Sequence, residues 1–450
     1  MESLLERSKG SILDVSIGGR VTASPIALLS PHIKRIGCLN FAHNKWVDIQ
    51  KFSKIDSGPL PLLRTLDINV NVESDLEDFD AITPPLPIFS NATHLKEFYF
   101  YSDTERSPPI SHFIFPNLVL FDLSVLPSEG FRASPLLDFL EASPMLRTVH
   151  LRITANISLE DIIQGRVVIL PNVEIFELLV SDGGPGYRLA THISCPSARC
   201  TTITQKDVDP EQAFCTSDLW DAIVRRYTRS PAEEVTLEIR TFIVFTCKLT
   251  FRSLRDAAVI ELNYGIDLYD ENGDEFDRRT VVALEEVFTQ ATLVIRNHPQ
   301  LAGVKRLNIC HSFQPFINIF PTTIPHIANE TGRLFKALSS LDELTIYHCD
   351  IRPYFHSFLD IPQDDITEPV VFPPIKRLTI SHPVDSSDGQ CIRAIVGLAK
   401  SQHTLGIPFE RVIIFRENMP MGMEEGLRPW VGSVEHRYDI IVYTPPVCPG

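Results

Sequence analysis

In the stretch Leu341-Asp-Glu-Leu-Thr-Ile-Tyr-His-Cys349 the apolar side chains fall at Leu341, Leu344 and Ile346, with polar residues between them and Cys349 at the end. The alternation around Leu344 is that of a short strand. It sends Leu344 and Ile346 to a buried face and Glu343, Thr345 and Tyr347 to the opposite one, while Leu341 fills the turn into the strand. The same frame recurs at Ile33/Ile36/Cys38, Leu63/Leu66/Ile68, Leu95/Phe98/Phe100, Leu118/Phe121/Leu123, Leu146/Val149/Leu151 and Val173/Phe176/Leu178. It continues at Ala198/Thr201/Ile203, Ala232/Val235/Leu237, Ala257/Ile260/Leu262, Val304/Leu307/Ile309, Ile375/Leu378/Ile380 and Phe409/Val412/Ile414. Apolar triplets arise by chance, so a second residue class in the same phase is the stronger sign. Pro31, Pro61, Pro116, Pro144, Pro171, Pro196 and Pro373 each stand two residues before a frame, in seven of the thirteen. Proline has no amide proton and a fixed φ, which suits a strand entry and not a strand centre. Small polar or thiol residues such as Asp103, Thr154, Ser181 and Ser312 close several frames and can satisfy loop amides.

Between frames the period becomes helical. Leu136, Leu137, Phe139 and Leu140 follow Ser134-Pro135, read as a serine cap with proline in the first turn. Val281, Leu284, Phe288, Ala291 and Ile295 recur at helical steps, as do Leu334, Phe335, Leu338 and Leu341, and Ile392, Ile395, Val396 and Ala399. A strand and a helix in each unit imply parallel strands joined by crossovers. The fold class expected is α/β: a leucine-rich-repeat solenoid, an arc with parallel strands on the concave side and helices on the convex side. The whole chain, 1–450, is taken as one solenoid, with a partial repeat or cap over 1–30 and a C-terminal cap over 405–450. An irregular insertion is expected over 240–303, where Phe245 and Lys248–Phe251 read as strands and Asn272-Gly273 as a tight hairpin turn.

An apolar content of 44% supports a packed core, and a formal charge of −16 gives no basic footprint for nucleic acid or an anionic membrane. Nine cysteines, an odd number without a Cys-x-x-Cys pair, read as reduced core thiols. The N-terminal residues carry no signal-peptide pattern, so a cytoplasmic or nuclear protein, not a secreted one, is expected.

Asp270–Asp277 resembles a calcium loop, but with Gly273 at the sixth position Leu268 and Arg279 would occupy the first and last ligand positions, which need carboxylates. Cys310-His311 and His348-Cys349 are adjacent pairs whose side chains leave opposite faces of a strand, so they read as structural. No nucleophile elbow, phosphate-binding loop or zinc-protease motif is present, and no catalytic, cofactor or metal residue is assigned. What remains is the outward side of the strands. The candidate partner-binding residues there are Asp67, Glu97, Tyr99, Tyr101, Asp122, Glu177, Arg306, Glu343, Tyr347, Arg377 and Arg411. With Glu238 and Glu261 they suggest a gradient, acidic early and basic late, able to steer a charged protein partner.

The run Leu5-Glu-Arg-Ser-Lys-Gly-Ser-Ile-Leu-Asp-Val-Ser-Ile17 resembles the segment that follows the F-box in the F-box-like leucine-rich-repeat (RNI-like) families of mushroom-forming fungi. Pro144–Leu151 and Phe115–Leu123 are similar to their later repeats. The resemblance implies a substrate-recognition solenoid of a cullin ubiquitin ligase. No Leu-Pro-x-Glu stretch precedes Leu4, so binding of a Skp-type adaptor is not expected of these residues. The function expected is non-enzymatic protein binding. The alternatives are a free-standing scaffold without a ubiquitin role, and a solenoid hydrolase acting on polysaccharide, against which helices between the strands would count.

Overall fold

The computed structural model describes residues 2–8, 10–18, 27–44, 49, 52, 60–70, 89, 92–103, 110, 113–126, 131–154, 157–160, 162, 165–181, 186–208, 231–241, 245–253, 257–264, 289–290, 292–298, 301–313, 320–347, 373–381, 390–415 and 422–437. The chain is α/β and divides into two compact units, Met1–Lys206 and Asp207–Gly450.

The first unit contains β1 (Leu13–Gly18), β2 (Ile36–Asn44), β3 (Thr65–Val70), β4 (Glu97–Ser102), β5 (Leu120–Val125), β6 (Phe131–Arg132), β7 (Thr148–Ile153), β8 (Ile157–Ser158), β9 (Val168–Ile169), β10 (Ile175–Ser181), β11 (Ile193–Ser194) and β12 (Cys200–Val208). Its main sheet runs β1-β2-β3-β4-β5-β7-β10-β12, and each pairing along it is parallel. The short strands make two side pairs, β6 with β8 and β9 with β11.

The second unit contains β13 (Glu234–Thr241), β14 (Phe245–Arg252), β15 (Ala257–Tyr264), β16 (Arg306–Phe313), β17 (Glu343–Tyr347), β18 (Arg377–Ser381), β19 (Arg411–Phe415) and β20 (Val434–Arg437), in the order β15-β14-β13-β16-β17-β18-β19-β20. From β13 through β16 to β20 the pairing is parallel; β14 is antiparallel to both β13 and β15. Phe245 and Lys248–Phe251, which read as strands, lie together on the single strand Phe245–Arg252. The frame at Ala257/Ile260/Leu262 lies on β15, which is antiparallel to β14 and so runs in the same direction as β13. Asn272-Gly273, the acidic stretch 270–277 and His348-Cys349 lie outside the described residues.

The frames map onto these strands in register. Leu66, Phe98, Phe121, Val149, Phe176 and Thr201 face one another across β3 to β12, and Val235, Leu307, Leu344, Leu378 and Val412 do so from β13 to β19. All of them except Thr201, at 3%, are 0% exposed. The strand entries follow a second rule. The carbonyl of the residue after each first apolar position accepts two amides from the next strand's entry. Arg64 accepts from Lys96 and Glu97, Lys96 from Val119 and Leu120, Val119 from Arg147 and Thr148, and Arg147 from Glu174 and Ile175. Glu233, Lys305, Asp342 and Lys376 do the same in the second unit. Buried strand ends need such partners, because an unpaired backbone group away from water is costly.

This rule corrects the first frame. The Arg64 amide donates to Gly37 at 2.8 Å, which makes Ile36 the first apolar position. Leu39 and Phe41 then pair with Leu66 and Ile68. The frame is Ile36/Leu39/Phe41, three residues later than Ile33/Ile36/Cys38; Cys38 is half-buried, and Pro31 sits in a 3-10 turn, Ser30–Arg35, outside the proline phase.

A side-chain ladder reinforces the turns. Asn117 Nδ2 donates to the Thr93 carbonyl at 2.9 Å, Asn172 Nδ2 to Pro144 at 3.0 Å, and Ser197 Oγ to Pro171 at 2.6 Å. Each donor precedes a first apolar residue and each acceptor lies at the matching turn one strand back. Asn172→Ala should therefore lower stability by about 1 kcal/mol, as for one net hydrogen bond. A fall in the denaturant midpoint with unchanged slope would register it. At the strand exit, Thr154 Oγ1 donates to the Val125 carbonyl at 2.8 Å, so this closing residue satisfies a carbonyl instead of an amide.

The helices hold to their apolar faces. Ala133–Glu141 buries Leu136, Leu137, Phe139 and Leu140, with Arg132 at its cap position and both Ser134 and Pro135 inside the first turn, so Ser134 is not the cap. Phe139 meets Phe121 at 4.5 Å between ring centroids, which fixes this helix to the core face of the sheet. Phe320–Ala337 buries Leu334 and Phe335. Gln390–Thr404 buries Ile395 and Ala399 and ends on Gly406 at φ 77°, whose amide bonds to His403 while Ile407 bonds to Gln402. That is the double-bonded left-handed cap, which glycine adopts without a Cβ penalty. Of the helical series at 281–295, residues 281–288 and 291 lie outside the described residues.

Cys38, Cys195 and Cys310 are not in disulfides, but Cys200, at the head of β12, is disulfide-bonded, so the cysteines are not all reduced. Among the described residues no helix is long and apolar enough to cross a membrane.

Candidate functional site

Every strand of the ladder that buries its even positions must present its odd positions on the other side, and these fall into cross-strand rows. In the first unit one row reads Asn40, Asp67, Tyr99, Asp122, His150, Glu177 and Thr202. Four of the candidate residues, Asp67, Tyr99, Asp122 and Glu177, are brought together in it. Glu97 lies two residues earlier on β4 and Tyr101 two later, in the flanking rows. All six are partly exposed.

The row is polar. Asn40 Nδ2 donates to Asp67 Oδ2 at 2.9 Å, and Thr65 Oγ1 to Glu97 Oε2 at 3.2 Å. Burial, and then the charge of Asp122, push the Asp67 carboxyl above its ordinary value. Burial, and then Glu97, Asp122 and Asp67, push the Tyr99 phenol up, so it stays a neutral hydrogen-bonding group. Cys38 is raised in the same way, by burial and then Asp14, Asp67 and Glu97, which keeps it a thiol and a poor nucleophile. His150 stands between Asp122, at 3.5 Å from Nδ1, and Glu177, at 3.9 Å from Nε2. The Asp122 contact carries a hydrogen bond, while Glu177 acts on the ring through its charge.

The second unit's candidates also share a row: Glu234, Arg306, Glu343, Arg377 and Arg411 are successive partners. Here the cations are matched. Arg306 Nη2 is 3.3 Å from Glu234 Oε2, Arg377 Nη1 is 2.7 Å from Glu343 Oε1, and Arg411 Nη2 bonds Glu435 Oε2, which Arg437 also reaches at 3.2 Å. Lys376 pairs with Asp342 at 3.0 Å. The guanidinium of Arg411 holds the Glu435 carboxyl below its ordinary value, the hydrogen bond being the largest cause. The expected basic end of a charge gradient is thus internally neutralised. Tyr347 lies four residues beyond Glu343 on the same face, partly exposed. Glu238 is only 2% exposed and does not join the open surface; its register partner Lys248 is also that of Glu261.

His150, Asn40, Glu234 and Glu435 escaped the sequence reading, yet His150 carries a legible signal. It stands four residues after Leu146, the offset of Asp67 from Leu63, Tyr99 from Leu95, Asp122 from Leu118 and Glu177 from Val173. Among the described residues no group of three or more His, Cys, Asp or Glu is arranged to hold a metal ion. The chain matches no protein-family model and no curated protein.

Proposed function

We propose that the chain is a non-enzymatic protein-binding module, a leucine-rich-repeat solenoid of the F-box-like, RNI-like kind, with the odd-position face of its parallel strands as the docking surface. On this reading the arc places that face on its concave side and the helices on its convex side. One observation carries the proposal: Asp67, Tyr99, Asp122 and Glu177 form one cross-strand row with carboxylates and a neutral phenol open to solvent, above a sheet whose other face is dry. Carboxylates beside tyrosines offer acceptors and rigid aromatic area, the groups that anchor lysine- and arginine-bearing partners. The paired arginines of the second unit suit a structural role better than a steering one, since exposed matched pairs add little. Substrate recognition for a ubiquitin ligase is the cellular role that the fungal resemblance favours, with the adaptor supplied from outside these residues. An intracellular compartment belongs to the same reading, and the Cys200 disulfide weighs against it.

The test is a triple variant, Asp67→Ala, Tyr99→Ala and Asp122→Ala, carried beside the wild type through cross-linking and mass spectrometry in a native lysate. Its circular dichroism should match that of the wild type, because all three side chains are on the open face. Partner cross-links should map to β3, β4, β5 and β10 in the wild type and fall at least about tenfold in the variant, as expected for losing one or two anchors of about 1.4 kcal/mol or more. Cross-links confined to other surfaces, or unchanged in the variant, would remove the proposal. Direct stoichiometric capture of a Skp-type adaptor would contradict the expectation that these residues lack an adaptor site.

A further inference from the structure

In the open row of the first unit the imidazole of His150 on β7 lies between a carboxylate of β5 and one of β10. Its Nδ1 is 3.5 Å from Asp122 Oδ2 and its Nε2 is 3.9 Å from Glu177 Oε2, with the ring 24% exposed. A neutral imidazole donates from one nitrogen only; the imidazolium donates from both. On the Asp122 side the ring makes a hydrogen bond, and on the Glu177 side, at ion-pair distance, the attraction depends on the positive charge of the doubly protonated ring. After one proton leaves, one carboxylate faces a nitrogen lone pair.

We propose that Asp122, His150 and Glu177 form a proton-operated clamp across β5, β7 and β10, closed when the ring holds two protons and open on the Glu177 side when it holds one. The closer carboxylate, Asp122, keeps the remaining N–H, and Glu177, with a side chain 40% exposed, turns to water. Opening makes the row one charge more negative. Regulation of docking by that change rests on the function proposed above; the clamp itself does not.

The neighbouring charges favour the doubly protonated ring. The hydrogen bond to Asp122 is the largest cause raising His150 above its ordinary value of 6.5, and the charges of Glu177 and Asp122 add to it. Burial and Arg152, two residues along β7, oppose. Tyr99 on β4 separates this trio from Asp67 on β3. A folded-state value above the unfolded one gives stabilisation that is fully present below the unfolded value and is lost as pH rises through the folded one.

The experiment follows the ring signals of His150 by NMR on the free, full-length, histidine-labelled chain from about pH 5 to about pH 9, with His150→Gln as assignment control. The midpoint should lie above 6.5. It should fall in Asp122→Asn and in Glu177→Gln, more in the former. The melting advantage of the wild type over His150→Gln should shrink as pH rises through the midpoint. A midpoint at or below 6.5, or one unmoved by both carboxamides, overturns the clamp. Asp122→Asn and Glu177→Gln keep the histidine and carry the test if His150→Gln does not fold. Since the titration is read without any partner, failure of the docking proposal leaves its outcome intact.

Discussion

Leu344→Asp should unfold the centre of the second unit, while Thr345→Asp, one residue on, should leave it standing. Leu344 is 0% exposed and sits between Leu307 and Leu378, whereas Thr345 is partly exposed between Asn308 and Thr379. Removing the leucine alone costs about 2–5 kcal/mol, and a carboxylate left in an apolar stack adds several more. That total rivals the whole stability of a domain. At Thr345 the new carboxylate meets water, and a surface change of this kind stays within about 0.5 kcal/mol. Because stacked strands draw stability from their neighbours, the loss at 344 should spread first to β16 and β18. Hydrogen exchange would show it as lost amide protection over 306–313 and 377–381, and circular dichroism as a lowered or absent melt. Equal behaviour of the two variants would mean that the alternation does not assign the faces as described.

The contrast between adjacent residues explains why so much of the ladder could be read from the chain. A strand buried on one face repeats every two residues, and the entry leucine three residues earlier fills the turn. The triplet Leu341/Leu344/Ile346 therefore names its own burial without any knowledge of its neighbours. Two frames show where that logic stops. Ile33/Ile36/Cys38 satisfies the pattern as well as Ile36/Leu39/Phe41 does. What selects the latter is the hydrogen bond from Arg64 to Gly37, a contact between strands that no local pattern records. Ala257/Ile260/Leu262 has the right spacing on a strand antiparallel to its neighbour β14, because period-2 alternation carries no information about direction.

The candidate site was legible to the same depth. All eleven outward residues lie opposite the core, since facing follows from the frame. Their charge state was not, because it depends on which residue stands one strand away. Arg377 and Glu343 hold the same offset from their frames, so their ion pair was implicit in aligning the units. Reading the arginines singly turned a neutralised row into a basic one. His150 shares the offset of the acids it bridges, and a search limited to acids, arginines and tyrosines passed over it.

Phe121→Ala should produce the other large loss, this time in the first unit, and should uncouple a helix from the sheet. The ring is 0% exposed, stacks on Phe98 at 5.7 Å and meets Phe139 of the helix Ala133–Glu141 at 4.5 Å. Truncating a buried phenylalanine costs about 3–5 kcal/mol through lost transfer energy and the cavity left behind. Aromatic pairs add about 0.5–1.5 kcal/mol each beyond area. The second part can be separated from the first. Phe139→Leu keeps an apolar side chain on the helix but deletes the ring pair, so the cycle of Phe121→Leu, Phe139→Leu and the double variant isolates the coupling between them. Denaturant unfolding should give a coupling of about 0.5–1.5 kcal/mol, with the helix amides losing protection in either single variant. Met145→Ala, at a side chain 48% exposed in the turn before β7, is the matched control and should be near neutral. If the two phenylalanines act independently, the helix is held by area alone and the ring geometry between strand and helix contributes nothing of its own.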